Sequence, residues 1–122
     1  MKVPKIFECE YQFLLVLWEH EPIKSCKLVE LCREKFKWAP TTTYTVMKRL
    51  SLRGILVNEK TMVRTLISKE QVQEAVLNEM MEVTFENSVP AFVAAFTKKQ
   101  NLTDKEIDSI QQMIDSYRNG EK

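Results

Sequence analysis

Residues 38–54 read WAPTTTYTVMKRLSLRG and predict a single helix with a marked start and a marked end. Pro40 suits the first position of a helix, because that position needs no backbone N–H donor. Gly54 suits the residue just beyond the end of a helix. We therefore expect a helix from Pro40 to about Arg53. Helical periodicity gives it one inward face, formed by Thr43, Val46, Met47 and Leu50.

The composition of this helix favours a role in binding DNA. Residues 41–45 include four threonines, although β-branching makes threonine a mediocre helix former. Threonine can contact phosphates and base edges, and lysine and arginine can contact phosphate or guanine. We predict DNA contacts from Thr41, Thr42, Tyr44, Thr45, Lys48 and Arg49. The alternative is that the first two threonines only cap the helix and the others are ordinary solvated surface.

The flanking sequence predicts two earlier helices and a later hairpin. Glu8–His20 carries an apolar stripe, and Pro22 prevents easy continuation. A second helix is expected to start at Ser25, as N-cap, and to end near Lys35 and Lys37, before a short connection of residues 37–39. Two β-like stretches, 55–59 and 62–67, are separated by Lys60-Thr61. Three helices followed by a hairpin are the order of a winged helix-turn-helix, in which the third helix enters the major groove.

The predicted wing carries two cations, Lys60 and Arg64, which are candidates for phosphate contacts. The alternative for two isolated residues is ordinary solubility charge. Trp18 and Trp38 lie beside apolar neighbours, so we expect both to pack in the core rather than to stack on bases.

The second half of the chain predicts further helices and a dimer. A helical pattern begins at Lys69, Asn87 or Ser88 caps a short helix, and Thr103–Glu106 forms a capping box for the last one. This segment is too short and too polar to build an ample core alone, and a second copy would cover its apolar stripes. The predicted dimer residues are Val72, Val76, Met80, Val83, Val89, Phe92, Val93, Phe96, Ile107, Ile110 and Ile114.

Charge divides the chain in the same way. Residues 1–68 hold 12 Lys and Arg against 7 Asp and Glu, whereas residues 69–122 hold 6 against 10. A basic front half and an acidic second half suggest that only the first meets a polyanion. We therefore expect a winged-helix DNA-binding domain over 1–68 and a helical dimerisation domain over 69–122, in a fold that is mostly α with a small β-hairpin.

Enzymatic and cofactor functions find little support in the residues. Two glycines cannot form a glycine-rich phosphate loop, and the single histidine, His20, has no nucleophile or acid partner. The cysteines, Cys9, Cys26 and Cys32, show no metal-ligand spacing, and we expect small packing residues, with a redox role as the alternative. No cofactor or metal is predicted. No apolar run is long enough to span a membrane and no signal peptide opens the chain, so we expect a cytoplasmic protein without membrane insertion.

Three stretches together resemble the penicillinase-repressor family (BlaI/MecI/CopY) over roughly residues 6–118. They are 10–18, similar to the family's first helix; 38–50 with Gly54, similar to its recognition helix; and 92–96 with 102–107, similar to its dimerisation end. The resemblance implies a homodimeric transcriptional repressor that binds double-stranded operator DNA with dyad symmetry. The second stretch is the most specific of the three.

The resemblance also implies a mode of regulation, and this chain departs from it. Antibiotic-responsive members are cleaved between Asn and Phe after a signal from a membrane sensor-protease. The matching pair here is Ala95-Phe96, so the asparagine is absent, and no cysteine follows Cys32 to form the cluster of the copper-sensing members. Ala39, Thr41 and Leu52 replace the family's capping serine, a lysine and a basic residue, respectively. These changes predict a different operator, weaker contacts with the phosphates, or both.

One further alternative concerns function rather than fold. A winged helix can serve as a protein-interaction module that never touches DNA, because a fold does not fix a function. The modest net charge of +1 and the sparse wing are compatible with such a module. An enzyme is the least supported reading, since no catalytic set is visible.

Overall fold

The computed structural model describes residues 3–99 and 101–120, with three helices at the front of the chain as the sequence predicts. A π-helical segment, Met80–Thr84, directly follows the fourth helix. The helices are α1 (Glu8–His20), α2 (Ser25–Phe36), α3 (Pro40–Leu52), α4 (Lys69–Glu79), α5 (Val89–Lys99) and α6 (Asp104–Arg118). The strands are β1 (Ile23–Lys24), β2 (Leu56–Glu59) and β3 (Met62–Thr65).

The chain divides into two compact units, a front unit of residues 1–78 and a C-terminal unit of residues 79–122. The division lies ten residues beyond the boundary expected after Ser68. The reason is α4, whose Val72 is 2% exposed and packs in the core of the front unit. Val72 was expected on a dimer surface, and this expectation is corrected, because a side chain buried in its own core cannot cover a partner.

The front unit is organised around one apolar core. It is formed by inward faces of α1, α2 and α3, by the strands and by the start of α4. Trp18 and Trp38 pack against this core, as expected, and the indole N–H of Trp18 donates to the carbonyl of Ile67 at 3.0 Å. The fully buried apolar side chains include Phe13, Leu14, Leu17, Leu28, Leu50, Ile55 and Val63.

The ends of α2 and α3 follow from local backbone rules, with one correction. Lys37 adopts a left-handed conformation (φ 61°) and ends α2, and Gly54 (φ +75°) follows α3 as predicted. Ser25 was expected as the N-cap of α2. Lys24 takes that position, without a side-chain capping bond, and Ser25 is the first helical residue and is buried. Ser25 instead donates its backbone N–H to the carbonyl of Thr61 at 2.8 Å.

The wing is a three-stranded antiparallel sheet in the order β1-β3-β2. The predicted hairpin pairs Glu59 with Met62 around Lys60-Thr61, and both turn residues have positive φ, 51° and 67°. β1 was not predicted: Ile23 pairs with Val63 on the other side of β3. Its pairing ties the hairpin to the connection between α1 and α2.

Helices α5 and α6 of the C-terminal unit begin with side-chain caps. The Thr103 hydroxyl accepts from the Glu106 N–H at 3.1 Å, and the Glu106 carboxylate accepts from the Thr103 N–H at 3.0 Å, so the predicted capping box is present. At α5 the Ser88 hydroxyl accepts from the Ala91 N–H at 3.2 Å. None of the described residues of this unit is buried. It therefore has no closed apolar core of its own.

Candidate nucleic-acid interface

The packing of α3 decides which of its side chains face solvent. Thr43, Val46, Met47 and Leu50 are all buried, as the periodicity predicts. This packing fixes the rotation of the helix about its axis. Ser51 and Leu52, at the end of the helix, are exposed. All of the side chains expected from sequence to contact DNA are exposed as well: Thr41, Thr42, Tyr44, Thr45, Lys48 and Arg49.

The threonines at the start of α3 do not cap it. The N-cap is Ala39, and the carbonyl of Ala39 accepts from the N–H of Thr42 at 3.0 Å, with no side-chain capping bond. The alternative in which Thr41 and Thr42 serve only as caps is therefore wrong for this helix. The Thr45 hydroxyl donates to the carbonyl of Thr41 at 2.8 Å, which leaves the Thr45 oxygen free to accept a further hydrogen bond.

A shallow cavity of about 370 Å³ lies beside this face, between α1 and α3. It brings together Thr41, Thr42, Thr45 and Arg49, and Trp38 and Cys9 also line it. Cys9 was not predicted to lie here, because no pattern in one sequence shows which turn of α1 meets the start of α3. The cavity extends the exposed surface of α3 onto the first turn of α1.

Two further residues that the sequence did not single out, Glu10 and Arg53, join α1 to the end of α3. The Glu10 carboxylate is 1% exposed and forms an ion pair with the Arg53 guanidinium. Burial by itself raises the pKa of Glu10, but hydrogen bonds from Arg53 and from the Phe7 N–H, with the charges of Arg53 and Arg49, hold that pKa below its ordinary value. Glu10 is therefore a buried, compensated carboxylate. The only feature of the sequence that could have indicated this ion pair is the position of an acidic residue, Glu10, on an otherwise apolar face of α1.

The wing places its two predicted cations differently. Lys60 occupies the exposed turn, whereas Arg64 on β3 lies 3.5 Å from the Glu59 carboxylate. Both members of that pair are solvent-exposed, and such a pair is weak. A phosphate could therefore compete with Glu59 for Arg64.

The exposure of the cysteines differs from the expectation that all three are small packing residues. Cys32 is buried in the core, but Cys9 and Cys26 are exposed, so only Cys32 is the small packing residue that was expected of all three. Over residues 3–99 and 101–120, no cluster of three or more histidine, cysteine or acidic side chains could hold a metal ion. Within the same ranges, no helix is both long and apolar enough to cross a membrane.

The side chains predicted to form a dimer are largely exposed. In the C-terminal unit, Phe92 is half-buried between Phe85, at 5.4 Å between ring centroids, and Phe96, at 6.3 Å. Ala95 and Phe96, the pair at which the family resemblance raised the question of cleavage, lie within α5. Exposed members of the predicted set are Val76, Met80, Val83, Val89, Val93, Phe96, Ile107, Ile110 and Ile114.

Comparison with known proteins gives a consistent result. The family profile described as Penicillinase repressor matches residues 6–116. The chain is also 24% identical over 126 residues to a penicillinase repressor from Bacillus licheniformis, an alignment that covers 99% of this chain and 98% of the relative.

Two solved structures resemble the fold. The solution structure of the DNA-binding domain of the repressor BlaI matches with a TM-score of 0.53 at 25% identity, covering 58% of this chain and 93% of that domain. The Bacillus licheniformis BlaI monomer, solved in complex with the blaP half-operator, matches with a TM-score of 0.50 at 24% identity, covering 57% and 90%, respectively. The winged-helix architecture is thus shared with these proteins.

Proposed function

We propose, because the chain belongs to the penicillinase repressor family, that it represses transcription by binding operator DNA in a sequence-specific way. The family consists of transcriptional repressors and not of enzymes. A repressor of this kind acts in the cytoplasm, where bacterial DNA lies. The finer proposal is that α3 enters the major groove while the wing follows the phosphate backbone.

The observation that carries the proposal is the exposed face of α3. Its buried stripe turns the hydroxyls of Thr41, Thr42 and Thr45, together with Lys48 and Arg49, toward solvent on a fold that resembles the BlaI DNA-binding domain. An α-helix fits the major groove, and these side chains suit contacts with bases and phosphates. Lys60 and Arg64 on the wing supply further cations for the backbone.

We also propose that the protein acts as a homodimer. The exposed isoleucines of α6 and the valines and phenylalanines of α5 form apolar faces, and no described residue of the C-terminal unit is buried. Covering these faces with a second copy would remove them from water and give a two-fold assembly. Two copies of α3 would then meet the half-sites of a dyad operator.

A membrane sensor-protease is a further partner that the family resemblance implies. Ala95 and Phe96 lie inside α5, so proteolysis at this bond requires local unfolding of that helix. The protein can be incubated with membranes from cells in which the sensor-protease is active. Mass spectrometry of the products would then show whether the bond between Ala95 and Phe96 is cut. A cut elsewhere, or none, would assign release of the operator to another signal.

The direct test of function is selection of bound duplexes from a random pool, followed by affinity measurements at several salt concentrations. We expect enrichment of a dyad motif, with Thr45→Ala and Lys48→Ala weakening binding by about tenfold or more. Gln112→Ala, on the exposed surface of α6, is the matched control and should leave the affinity unchanged. Salt-dependent binding without an enriched motif would contradict the proposal and favour the protein-interaction module.

A further inference from the structure

Arg53 lies at the end of α3, next to the proposed DNA-binding face, yet its guanidinium is directed at protein groups. Its Nη2 pairs with the Glu10 carboxylate, and its Nη1 donates to the carbonyl of Lys5 at 2.6 Å. Its Nε donates to the carbonyl of Arg49 at 3.4 Å. All three guanidinium nitrogens are therefore engaged within the front unit, which leaves Arg53 poorly placed to hold a phosphate.

Glu10 depends on this arrangement for compensation of its charge. One carboxylate oxygen accepts from the Phe7 N–H at 3.0 Å, and the other accepts from Arg53. The carboxylate is 1% exposed, so water cannot replace a lost partner. A buried carboxylate without a cation is strongly unfavourable, so loss of Arg53 favours side-chain conformations that bring another cation to Glu10.

Arg49 is a second cation on α3 whose charge acts on the Glu10 carboxyl. It lies one helical turn before Arg53. While Arg53 holds Glu10, the side chain of Arg49 stays exposed and lines the cavity with Thr41, Thr42 and Thr45. If Arg53 were absent, Arg49 would be the available replacement for it.

We propose that Arg53 is a positioning residue for operator binding: by pairing with Glu10 it keeps the guanidinium of Arg49 available to DNA. This inference rests on the proposed function, because it treats Arg49 as a DNA contact. It assigns to Arg53 a role opposite to the one that a basic residue beside a recognition helix suggests. Arg53 contributes to binding without touching the operator.

The test compares the wild type with Arg53→Met, Arg49→Met, the two combined, and Arg53→Met combined with Glu10→Gln. Affinity for the enriched operator duplex is measured by fluorescence anisotropy from low to high KCl, and circular dichroism confirms folding. We expect Arg53→Met to weaken binding by about tenfold and to lower the salt slope by about one phosphate contact. It should add no loss in the Arg49→Met background, and Glu10→Gln should restore both affinity and slope.

Other outcomes overturn the inference in distinguishable ways. Additive losses in Arg53→Met and Arg49→Met would show that Arg53 contacts DNA itself. A loss of affinity with an unchanged slope and no rescue by Glu10→Gln would show a merely structural role. If Arg53→Met does not fold, the inference is tested with the double variant Arg53→Met and Glu10→Gln, which has no buried charge at this site. A salt slope equal to that of the wild type supports the inference, and a lower salt slope overturns it. A wild-type protein that does not bind duplex DNA overturns the proposed function, and the inference with it.

Discussion

The buried hydroxyl of Thr43 on α3 lies against the buried thiol of Cys32 on α2, where the two helices of the helix-turn-helix meet. Burial raises the pKa of Cys32 to about 11, and the Thr43 hydroxyl offsets part of that rise. Among residues 3–99 and 101–120, the Thr43 oxygen is the buried side-chain polar atom that lacks a hydrogen bond of normal geometry. A polar atom is thus enclosed in the core with only a weak partner.

Thr43→Val should therefore leave the free energy of unfolding unchanged or raise it, by up to about 1 kcal/mol, because it replaces an unsatisfied hydroxyl with a methyl group of similar size. Urea unfolding followed by circular dichroism measures the change. Thr42→Val, exposed on the same helix, is the control for the effect of valine on helix propensity. A loss of more than about 1 kcal/mol for Thr43→Val alone would show that the hydroxyl has a strong partner.

Acid should destabilise the front unit through Glu10. The pKa of Glu10 in the folded protein lies below its ordinary value of 4.5. Its contribution to stability is therefore complete above that value and is lost as the pH falls through the lower, folded-state pKa. Glu10→Gln should lower stability at neutral pH by about 2 kcal/mol, as for a hydrogen bond to a charged group. It should also flatten the fall in stability between neutral and acid pH, as measured by urea unfolding. An equally steep fall in the variant would assign acid sensitivity to other carboxyls.

The wing turn is strained at Thr61, a β-branched residue at φ 67°. Thr61→Gly should relieve this strain, although glycine also increases the conformational entropy of the unfolded chain, which opposes the gain. The net effect should be a free energy of unfolding higher by up to about 1 kcal/mol. Thermal unfolding measures the change, with Thr97→Gly as the contrasting variant, since helix α5 should be destabilised by glycine. A destabilised Thr61→Gly would mean that the turn prefers a side chain at this position.

Modification of Cys9 should block operator binding, because Cys9 lines the cavity shared with Thr41, Thr42 and Arg49. In a Cys26→Ser protein, Cys9 is the exposed thiol and Cys32 is buried. Treatment with N-ethylmaleimide should then weaken operator binding by about tenfold or more, a loss comparable with removal of a good base contact. The same treatment of Cys9→Ser is the control. Unchanged affinity after complete modification, verified by mass spectrometry, would remove the cavity from the interface.

Ile110→Glu should dissociate the proposed dimer, because a charge on an apolar face of α6 would be buried by a second copy. Light scattering after gel filtration should show a monomer, with helix content retained in circular dichroism. Gln112→Glu, exposed on the same helix, adds the same charge and should leave the mass unchanged. A dimer that survives Ile110→Glu would place the interface on another surface.

Local chemistry explains why much of the fold could be predicted. Pro40, Gly54 and the capping box of Thr103 act through neighbours within one helical turn, so the ends of α3 and the start of α6 follow from sequence. The exposed face of α3 follows from periodicity for the same reason. Its role in DNA contacts stays a prediction.

Contacts between distant segments could not be predicted in this way. Glu10 meets Arg53 across 43 positions, and Ile23 meets Val63 across 40, and neither pairing leaves a periodic signal. The two-residue strand β1 is too short to show alternation. Val72 belongs to the apolar stripe of α4, and the sequence does not show what that stripe packs against. Its place in the core of the front unit is therefore known only from the structure.

Because of where the two tryptophans lie, their fluorescence can report on the unfolding of one unit of the protein without an added label. Trp18 and Trp38 both belong to the front unit, and no tryptophan lies beyond residue 38. Tryptophan fluorescence, excited selectively over that of tyrosine, therefore follows the front unit alone, while far-ultraviolet circular dichroism also follows α5 and α6. Transitions that do not coincide between the two probes would resolve the melting of each unit without any label. Trp38, at the edge of the cavity beside Arg49, would also sense a duplex placed against α3.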